Sequence, residues 1–483
     1  MKVFFLNPPF IGKFSRTSRS PAITRGGSIY YPFWLAYAAG VSDREGFEVQ
    51  LLDAPAEGYS LEEVKRKILQ FNPQLIVIDT STPSIYSDIK TAEELKNVLP
   101  NAFVVLVGTH VSALAEETLK LSGKLDAIAK GEYDFTIKNL AYCLKNNDDL
   151  KKVDGLVFRQ DNKIILNQPR ALIENVDELP FASQVYKKYL DIKKYFFLIS
   201  DYPMVMMITG RGCPFRCFFC VYPQTFHSRK YRFRSPKNVV DEFEYIAKEL
   251  PEVKGIGIED DTFTANPQRT KEICQLLIKR GVKIRWYCNV RPDLDLETMK
   301  WMKKAGCQLV TVGFESATQQ ILDNIHKGIK VEQIKEFVNN AKKAGILVHG
   351  CFIAGNPGET KQTLEKMLKF AKTLNCDTMQ FYPLLVYPGT EAYFWAQKNN
   401  YLSTSDFSRW ATKMGGYNCL LNLPGLSSKE IADFCDKATK EYYLRLPYIL
   451  MKIKQIIFHP REIGRTFRAA ITFFKHTFLT KEY

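Results

Sequence analysis

The chain has 483 residues, of which 46% are hydrophobic and 25% are charged, and its formal net charge is +15. These fractions are typical of globular proteins and exclude a wholly disordered chain and a polytopic membrane protein, while the length predicts about two to four domains. The positive charge is compatible with an anionic partner, either nucleic acid, anionic lipid or an acidic substrate.

The cysteines and the N-terminal residues predict the compartment. Eleven cysteines are scattered along the chain. This distribution does not fit a disulfide framework, and in a reducing cytosol clustered cysteines are better explained as metal ligands. No uncharged apolar run of about 18 residues is found, and residues 1–10 (MKVFFLNPPF) are typical of a buried strand and a turn rather than of a signal peptide. We therefore expect a cytoplasmic protein.

Residues 1–148 alternate short apolar runs with helical patterns. Uninterrupted Val, Ile and Leu runs of this kind are typical of parallel strands that are covered on both faces. We therefore predict an α/β domain with a doubly wound parallel sheet. The predicted strands are at residues 3–6, 49–53, 75–79, 103–108 and 127–132.

Five loops follow these predicted strands. In doubly wound sheets, ligands bind beyond the carboxyl ends of the strands, so we expect the five loops to form one ligand-binding rim. The rim loops are Asn7-Pro8-Pro9, Asp53-Ala54-Pro55, Thr80-Ser81-Thr82-Pro83, Gly108-Thr109-His110 and Gly131-Glu132.

The rest of the chain divides into three parts. Residues 149–200 contain a predicted hairpin that turns at Asp161-Asn162, followed by an irregular stretch, and we interpret them as a linker. Residues 201–395 contain six strand patterns separated by helical ones, which is enough for a partial (β/α)6 TIM-like barrel with its chemistry at the carboxyl ends of the strands. Residues 396–483 are predicted to form a helical, basic region.

One cysteine cluster follows the first barrel strand. Cys213, Cys217 and Cys220 form a C-x3-C-x2-C array in one short loop. Iron–sulfur clusters normally have four cysteine ligands, so three thiolates would leave one iron open to a substrate or cofactor. The alternative is zinc, which usually takes four protein ligands in structural sites. There is no second cysteine pair, although His227 could complete a mixed site.

The cysteine spacing, Phe219 directly before the third cysteine, and the position after a first barrel strand resemble the radical SAM superfamily. The resemblance implies that Cys213, Cys217 and Cys220 hold a [4Fe-4S] cluster whose open iron binds S-adenosylmethionine (SAM). One electron, from a donor such as flavodoxin or ferredoxin, would then cleave SAM to a 5'-deoxyadenosyl radical.

Further segments at the predicted strand ends resemble the SAM-binding segments of this superfamily. The acidic segment 259–261 would receive the SAM ammonium, because a carboxylate or carbonyl oxygen can accept hydrogen bonds from an ammonium group. Arg291 would pair with the SAM carboxylate, and Glu315-Ser316 would bind the ribose hydroxyls. The loop 355–360 would approach the adenine or methionine part closely. The alternatives are a solvated acidic loop and a plain helix-start turn. The residues assigned to SAM are Phe219, Glu259, Asp260, Arg291, Glu315, Ser316, Gly355, Pro357 and Gly358.

Residues 1–148 resemble the class of this superfamily that carries a cobalamin (B12)-binding domain in front of the barrel. The resemblance lies in Asn7-Pro8-Pro9, residues 32–35 (PFWL) and the last two rim loops. The motif D-x-H-x-x-G, which supplies a cobalt ligand in other cobalamin enzymes, is absent. His110 therefore has either a cofactor role or only a structural one, and a domain that binds no cobalamin stays an alternative. The residues assigned to cobalamin are Asn7, Pro8, Ser81, Thr82, Gly108, His110, Gly131 and Glu132.

The C-terminal stretch mixes basic and apolar residues. This combination suits an interfacial helix on anionic lipid at the inner face of the membrane. The alternative is an amphipathic helix that packs on the barrel with its charges solvated. Nucleic acid is not expected as a partner, since no recognition module accompanies the charge. The basic residues are Lys452, Lys454, Arg461, Arg465, Arg468 and Lys475.

Two further resemblances suggest the reaction. Residues 19–22 (RSPA) and 30–34 (YYPFW) are similar to radical SAM proteins of hopanoid biosynthesis, and the whole chain resembles the anaerobic Mg-protoporphyrin monomethyl ester cyclase family. We expect a cobalamin-dependent radical SAM enzyme that methylates an unactivated carbon, or that cyclises or rearranges a ring, in a small-molecule or lipid-like substrate. The alternatives are a radical SAM enzyme whose front domain binds no cobalamin, and a membrane-associated metal-binding protein that is not an enzyme.

Overall fold

A computed structural model describes residues 1–24 and 26–458 and, further along, Gly464, Phe467 and Ile471. The front of the chain folds into a sheet with accompanying helices. Its strands are β1 (Lys2–Asn7), β2 (Glu48–Asp53), β3 (Leu75–Thr80), β4 (Phe103–Gly108), β5 (Ala127–Ala129), β6 (Leu156–Gln160) and β7 (Lys163–Leu166). Its helices are α1 (Phe33–Arg44), α2 (Ala54–Glu57), α3 (Leu61–Phe71), α4 (Ile85–Val98), α5 (Thr109–Ala113), α6 (Ala115–Lys120) and α7 (Asp134–Asn146).

The strands of this front sheet lie in the order β2-β1-β3-β4-β5-β6-β7. The predicted parallel sheet is confirmed in β1 to β5, and every residue of β3 is buried, as expected for a strand covered on both faces. The predicted hairpin also forms, but β6 and β7 extend the same sheet with antiparallel pairing. Its turn residues Asp161 and Asn162 have φ angles of 49° and 60°, a left-handed backbone that Asp and Asn tolerate.

The second part of the chain contains the predicted barrel. Its strands are β8 (Met204–Met207), β9 (Gly210–Arg211), β10 (Arg232–Phe233), β11 (Gly255–Ile258), β12 (Arg285–Val290), β13 (Cys307–Glu315), β14 (Leu347–Ala354) and β15 (Thr378–Pro383). Its helices are α8 (Ala182–Tyr189), α9 (Val221–Thr225), α10 (Pro236–Glu249), α11 (Pro267–Lys279), α12 (Leu296–Lys304), α13 (Gln319–Asn324), α14 (Val331–Ala344), α15 (Lys361–Leu374) and α16 (Glu391–Lys398).

Six of these strands form a parallel sheet in the order β15-β14-β13-β12-β11-β8. Neighbours in the sheet are consecutive major strands joined through helices, which confirms the partial (β/α)6 barrel. Helix α14 illustrates the packing, since Ile334, Phe337, Val338 and Ala341 are buried at the spacing of one helix face. It ends at Gly345, whose φ of 73° is the left-handed conformation that glycine supplies at helix ends.

Helix α1 joins the two sheets. Ten of its 12 residues are buried, and the Tyr37 hydroxyl donates to the carbonyl of Ile208, beyond the end of β8, at 3.2 Å. Just before α1, the Tyr31 hydroxyl donates to the carbonyl of Met204 at 2.8 Å. The Tyr31 ring stacks on Tyr195 with centroids 3.7 Å apart. Part of the segment predicted as a linker is therefore packed into an apolar junction that holds the two sheets together.

The C-terminal region adds α17 (Ser428–Tyr443) and α18 (Leu446–Phe458). Helix α17 covers the edge strand β15, where the Tyr443 hydroxyl donates to the carbonyl of Met379 at 2.8 Å and accepts its N–H at 2.9 Å. A covered edge cannot pair with a strand of another chain. Among the helices that the structure describes, none has the length and apolar character needed to cross a membrane.

The α1 junction leads to a stability prediction at Gly40. A Cβ at this position would come 2.7 Å from Val185 Cγ2 and 2.8 Å from Pro180 Cγ. Alanine favours a helix over glycine by up to about 1 kcal/mol, but overpacking a filled core costs about 1–3 kcal/mol. We expect Gly40→Ala to lower the melting temperature by several degrees in thermal unfolding followed by circular dichroism. Gly123→Ala is the control, because a Cβ there meets open space; equal melting temperatures for the two variants would contradict the proposed packing.

Candidate functional site

The cysteine loop follows β9 and has a tightly specified backbone. Gly212 has a φ of 81°, and a Cβ on it would lie 2.2 Å from the carbonyl oxygen of Lys230, so this position requires glycine. The amide of Cys220 donates to the carbonyl of Cys217 at 3.3 Å. The side-chain amide of Gln224 donates to the carbonyls of Phe218 and Cys220 at 3.0 and 2.9 Å. These bonds hold the three cysteines on one short, ordered turn.

The three thiols differ in exposure. Cys213 is buried, with its Sγ 3.7 Å from the hydroxyl of Thr262, whereas Cys217 and Cys220 are half-buried. Burial raises the pKa of Cys213 and, more strongly, that of Cys220. Because metals bind thiolates, ligation at this loop requires the thiols to release their protons.

His227, the residue that could complete a mixed zinc site, is engaged elsewhere. Its Nδ1 lies 3.0 Å from a carboxylate oxygen of Glu132, and its ring packs against Trp34 with centroids 4.4 Å apart. In the described ranges, no three His, Cys, Asp or Glu side chains are arranged to hold a single metal ion. A cubane cluster takes each thiolate on a different iron, so its ligands need not meet at one point.

The predicted acidic segment lies directly after β11, and its two assigned carboxylates already have partners. Glu259 accepts from the Tyr287 hydroxyl at 2.8 Å and from the Asn289 amide at 3.2 Å. Asp260 accepts from both the backbone N–H and the hydroxyl of Thr209, at 2.5 and 2.6 Å. The Asp260 carboxylate thus links the end of β11 to the residue Thr209 beyond β8, and the assignment of the acidic segment to the SAM ammonium stays a prediction.

Arg19 of the front domain reaches the same acidic segment. Its guanidinium donates to the carbonyls of Glu259 and Asp260 at 3.1 and 2.6 Å, and its Nε lies 3.5 Å from a carboxylate oxygen of Asp261. In the sequence, Arg19 stands out only through the resemblance of residues 19–22 to hopanoid-biosynthesis proteins. No local pattern could have predicted this contact, because the partners are about 240 residues apart.

Arg291 lies at the end of β12 and is buried against the cysteine loop. Its guanidinium carbon is 3.6 Å from the ring centroid of Phe215. One guanidinium nitrogen donates to the carbonyl of Lys327 at 2.7 Å, and Nε lies 3.4 Å from Asp293. If Arg291 pairs with the SAM carboxylate, as predicted, it must do so while its guanidinium also contacts Lys327 and Asp293.

Glu315 ends β13 in a left-handed conformation with a φ of 64°, at a register shift against β14. One carboxylate oxygen accepts from the buried Lys327 ammonium at 2.7 Å. The other is buried and has no hydrogen-bond partner among the described residues. Lys327 was not predicted; burial lowers its pKa, but nearby Glu315 and Cys217 raise it above the usual value. Ser316, next to Glu315, accepts from the backbone of Thr318 at 3.2 Å.

The loop after β14 contains the predicted glycines. Gly355 and Gly358 have φ angles of 95° and 85°, which explains the need for glycine at both. The carbonyl of Pro357 accepts from the Asn324 amide at 2.9 Å. Asn356 donates to the carbonyl of Ile353 at 2.7 Å, and its Oδ1 is buried without a partner in the described part of the chain.

The first rim loops are joined by a buried polar network around Arg16. This guanidinium donates to Asn7 Oδ1 at 2.9 Å, to the carbonyl of Pro8 at 2.7 Å and to Asp88 at 2.7 Å. Asn7 in turn donates to Asp53 at 2.8 Å. The rim loops after β1 and β2 are thus braced from below by charge-assisted bonds.

The middle rim loops enclose His110. Its Nδ1 lies 3.1 Å from the Thr82 hydroxyl, and its ring meets Phe407 edge-on with centroids 4.8 Å apart. Burial lowers the pKa of His110 to about 3, so the ring is neutral at physiological pH. Nearby, Ser81 Oγ lies 2.7 Å from the Ser84 hydroxyl. A Cβ on Gly108 would lie 2.4 Å from the carbonyl oxygen of Thr80, so the loop after β4 also requires glycine.

The last rim loop, Gly131-Glu132, contacts both the front domain and the barrel half. The amide of Gly131 donates to Ser112 at 2.9 Å. Glu132 was assigned to cobalamin, but its carboxylate is buried between two side chains of the barrel half. It accepts from Arg232 through both oxygens, at 2.8 and 2.5 Å, and lies 3.0 Å from His227 Nδ1. The Glu132 side chain therefore connects the two parts of the molecule.

Buried acceptors without partners indicate where the expected cofactors would fit. In the front half, Asp79 Oδ2 and the Tyr133 hydroxyl are buried and unpaired within residues 1–24 and 26–458. In the barrel, Glu315 Oε2 and Asn356 Oδ1 are likewise buried and have no hydrogen-bond partner among the described residues. Such atoms cost about 1–3 kcal/mol each, and a ligand that supplies hydrogen-bond donors would relieve this cost. SAM offers an ammonium and hydroxyls, and cobalamin offers amide groups, so the donor chemistry fits both.

Comparisons with known proteins agree with this arrangement. Residues 207–371 match the radical SAM superfamily, and residues 19–141 match the B12-binding domain. An uncharacterized methyltransferase of Pyrococcus horikoshii is 33% identical over 94% of both chains. The anaerobic magnesium-protoporphyrin IX monomethyl ester cyclase of Rubrivivax gelatinosus is 31% identical over 72% of this chain and 62% of its own. The hopanoid C-3 methylase of Methylococcus capsulatus is 25% identical over 78% of this chain and 70% of its own.

A solved structure shares the fold. The radical SAM methyltransferase TsrM from Kitasatospora setae, with cobalamin and a [4Fe-4S] cluster bound, superposes with a TM-score of 0.70 at 18% identity, covering 91% of this chain and 88% of its own. The sequence similarity to the hopanoid C-3 methylase and to the cyclase confirms the two resemblances predicted from the sequence. The chain belongs to the radical SAM superfamily, and it is an enzyme of the class that combines a [4Fe-4S] cluster and SAM with a B12-binding domain and cobalamin.

Proposed function

We propose that this enzyme methylates an unactivated carbon of an apolar, lipid-like substrate at the border between the front rim and the barrel. When bound, the cluster and SAM supply a radical that abstracts hydrogen, and cobalamin supplies the methyl group. The observation that carries the proposal is the contact of Arg19, which comes from the front domain and donates to the carbonyl of Asp260 at the barrel strand ends, at 2.6 Å. Groups bound to the two domains would thus adjoin the same space.

The names and coverages of the similar proteins favour methylation over ring closure. The one that spans 94% of both chains is named a methyltransferase, whereas the cyclase matches over 62% of its own length. Cyclisation or ring rearrangement remains the second candidate, supported by the 31% identity to the cyclase. Flavodoxin or ferredoxin is part of the proposal as electron donor, since the cluster must be reduced by single electrons.

The cysteine loop leads to the first test of this function. The protein is purified anaerobically with iron, sulfide and hydroxocobalamin, and visible and EPR spectra and SAM cleavage are recorded after reduction. We expect a [4Fe-4S] signal, cobalamin and 5'-deoxyadenosine. Cys213→Ala should lose the cluster and SAM cleavage but keep cobalamin, because the thiol lies outside the front domain.

Cys143→Ala is the matched control, since Cys143 is also buried but lies in α7 of the front domain. It should retain both cofactors. A wild-type protein that assembles the cluster without cobalamin would refute methylation. Wild-type protein with no SAM cleavage would remove the basis of the whole proposal.

We further propose that the unpaired oxygen of Glu315 accepts a hydrogen bond from the SAM ribose, with Lys327 holding the carboxylate in place. Hydrogen bonds to charged groups contribute about 1.5–3 kcal/mol, so Glu315→Gln should weaken SAM binding by about ten-fold or more. The measurement is a SAM titration of the EPR spectrum of the reduced cluster. Glu365→Gln, which removes an exposed partner of Lys437, is the control. Equal SAM affinity in both variants would contradict this role.

The remaining residues assigned to SAM and cobalamin, including Phe219, Gly355, Gly358, Asn7 and Thr82, stay predictions. The proposed domain limits at 1–148, 149–200, 201–395 and 396–483 also stay predictions.

The apolar substrate is supported by the outer face of α18. Tyr448 is the buried residue of this helix. Leu446, Leu450, Ile453 and Ile457 recur at the spacing of one helix face and are 50–67% exposed. Lys454 is also exposed on α18, whereas Arg461, Arg465, Arg468 and Lys475 lie outside the described residues. We propose that this face rests on the anionic inner surface of the cytoplasmic membrane, where a lipid substrate is available.

Binding to vesicles tests this surface. The full chain should sediment with phosphatidylglycerol vesicles at low salt and less with neutral phosphatidylcholine vesicles, because the basic residues attract anionic lipid. Replacing both Leu450 and Ile453 by Asp should abolish sedimentation. Leu121→Asp is the control, since Leu121 is 53% exposed on the front domain. Wild-type protein that stays in solution with both vesicles, or a double variant that still binds, would disprove the membrane contact.

A further inference from the structure

Five buried polar residues lie where the cysteine loop meets the front domain. Their exposed fractions are between 1% and 5%. We refer to them as the ionic cluster. Its members are Glu132, Asp134, Arg211, His227 and Arg232.

The ionic cluster consists of directional, paired contacts. Both terminal nitrogens of Arg211 donate to Asp134, at 2.6 and 3.0 Å, and both of Arg232 donate to Glu132, at 2.8 and 2.5 Å. His227 Nδ1 completes the set at 3.0 Å from Glu132. Such paired bonds restrict the orientation of both partners more than a single contact does.

The charges in the ionic cluster balance. Burial raises the pKa of Glu132, but the hydrogen bonds from Arg232 and His227 outweigh this effect and hold the pKa well below its usual value. Burial lowers the pKa of His227, so the imidazole is neutral at physiological pH. Two guanidinium groups therefore face two carboxylates with no net charge left over. Buried ion pairs of this kind add little net stability compared with apolar side chains, so their main effect is to fix geometry.

The two arginines border the cysteine loop on both sides. Arg211 lies two residues before Cys213, and it pairs with Arg232 in the antiparallel β9–β10 ladder. The amide of Cys213 donates to the carbonyl of Ser228 at 3.4 Å, inside the same closed loop. The Arg211 guanidinium also lies 5.3 Å from the ring centroid of Trp34 in α1. Both ends of the loop are thus attached to carboxylates of the front domain, Glu132 in the last rim loop and Asp134 at the start of α7.

We propose that Glu132 and Asp134 are positioning residues that hold the cysteine loop at one fixed distance from the front-domain rim. The inference rests on the proposed function, because it concerns the relative placement of the iron–sulfur cluster and cobalamin. It assigns to Glu132 a role different from direct contact with cobalamin. Each carboxylate accepts two hydrogen bonds from one arginine. The cysteine loop therefore cannot shift relative to the front domain without breaking these paired bonds.

The test measures the distance between the two paramagnetic centres by pulsed EPR. The holoenzyme is reduced so that the cluster and cob(II)alamin are both paramagnetic, and the distance distribution between them is recorded. Two variants are compared with wild type. Glu132→Gln keeps the shape but removes the charge, and Arg211→Lys keeps the charge but cannot form the paired bonds. The control is Glu174→Gln, which removes an exposed partner of Lys230 on the same loop.

We expect wild type and Glu174→Gln to give the same single, narrow distance. Glu132→Gln and Arg211→Lys should retain both cofactors and lose that narrow distance, giving a broad or shifted distribution. If either variant binds both cofactors with the wild-type distribution, the positioning role is wrong and the ionic cluster is only structural. Should Glu132→Gln fail to fold, Arg211→Lys decides alone. Wild-type protein without cobalamin or without the cluster overturns the proposed function itself, and the positioning role with it.

Discussion

All candidate residues depend on one topological constraint, namely that parallel strands must return through helices. The carboxyl ends of β1 to β5 therefore collect on one edge of the front sheet, and those of β8 and β11 to β15 on one edge of the barrel. The buried helix α1 ties the two sheets, because the Tyr37 hydroxyl bonds the backbone beyond β8. The strand ends of the two sheets therefore lie close enough for single side chains, such as Arg19 and Glu132, to contact both parts of the molecule.

Some carboxylates at this junction are fully paired within the chain, whereas others keep a buried oxygen without a partner, and this difference distinguishes structural support from ligand binding. Asp260 and Glu132 were both assigned to cofactors, yet each accepts at least two short hydrogen bonds within the chain. Glu315 and Asp79 instead each have one buried oxygen without a partner among the residues the structure describes. Burial raises the pKa of Asp79 to about 7, so near neutral pH this carboxyl can also carry a proton and donate it to a ligand amide.

The sequence predicted the parts that depend on local pattern. Strand periodicity located all six barrel strands, and the glycines at 212, 355 and 358 coincide with left-handed backbone. Pairing between distant side chains was not predictable in the same way. Arg19 and Lys327 reach the site from a front-domain loop and from the segment after α13, and neither stands in a pattern that indicates its partner. Hydrophobic periodicity determines which face of an element is buried, but not which buried charges will meet.

Cations beside the cysteine loop, including the unpredicted Arg19 and Lys327, explain how the loop tolerates negative charge. Three thiolates on one short turn repel each other, and burial makes each more costly. Arg291 packs on Phe215 inside the loop at 3.6 Å. Nearby Cys217 raises the pKa of Lys327, and Arg19 opposes the burial that raises the pKa of Cys220. Because Arg19 belongs to the front domain, a barrel expressed without that domain would lose the charge that opposes the rise in the pKa of Cys220. The front domain therefore contributes to the electrostatics of the cysteine loop as well as to cobalamin binding.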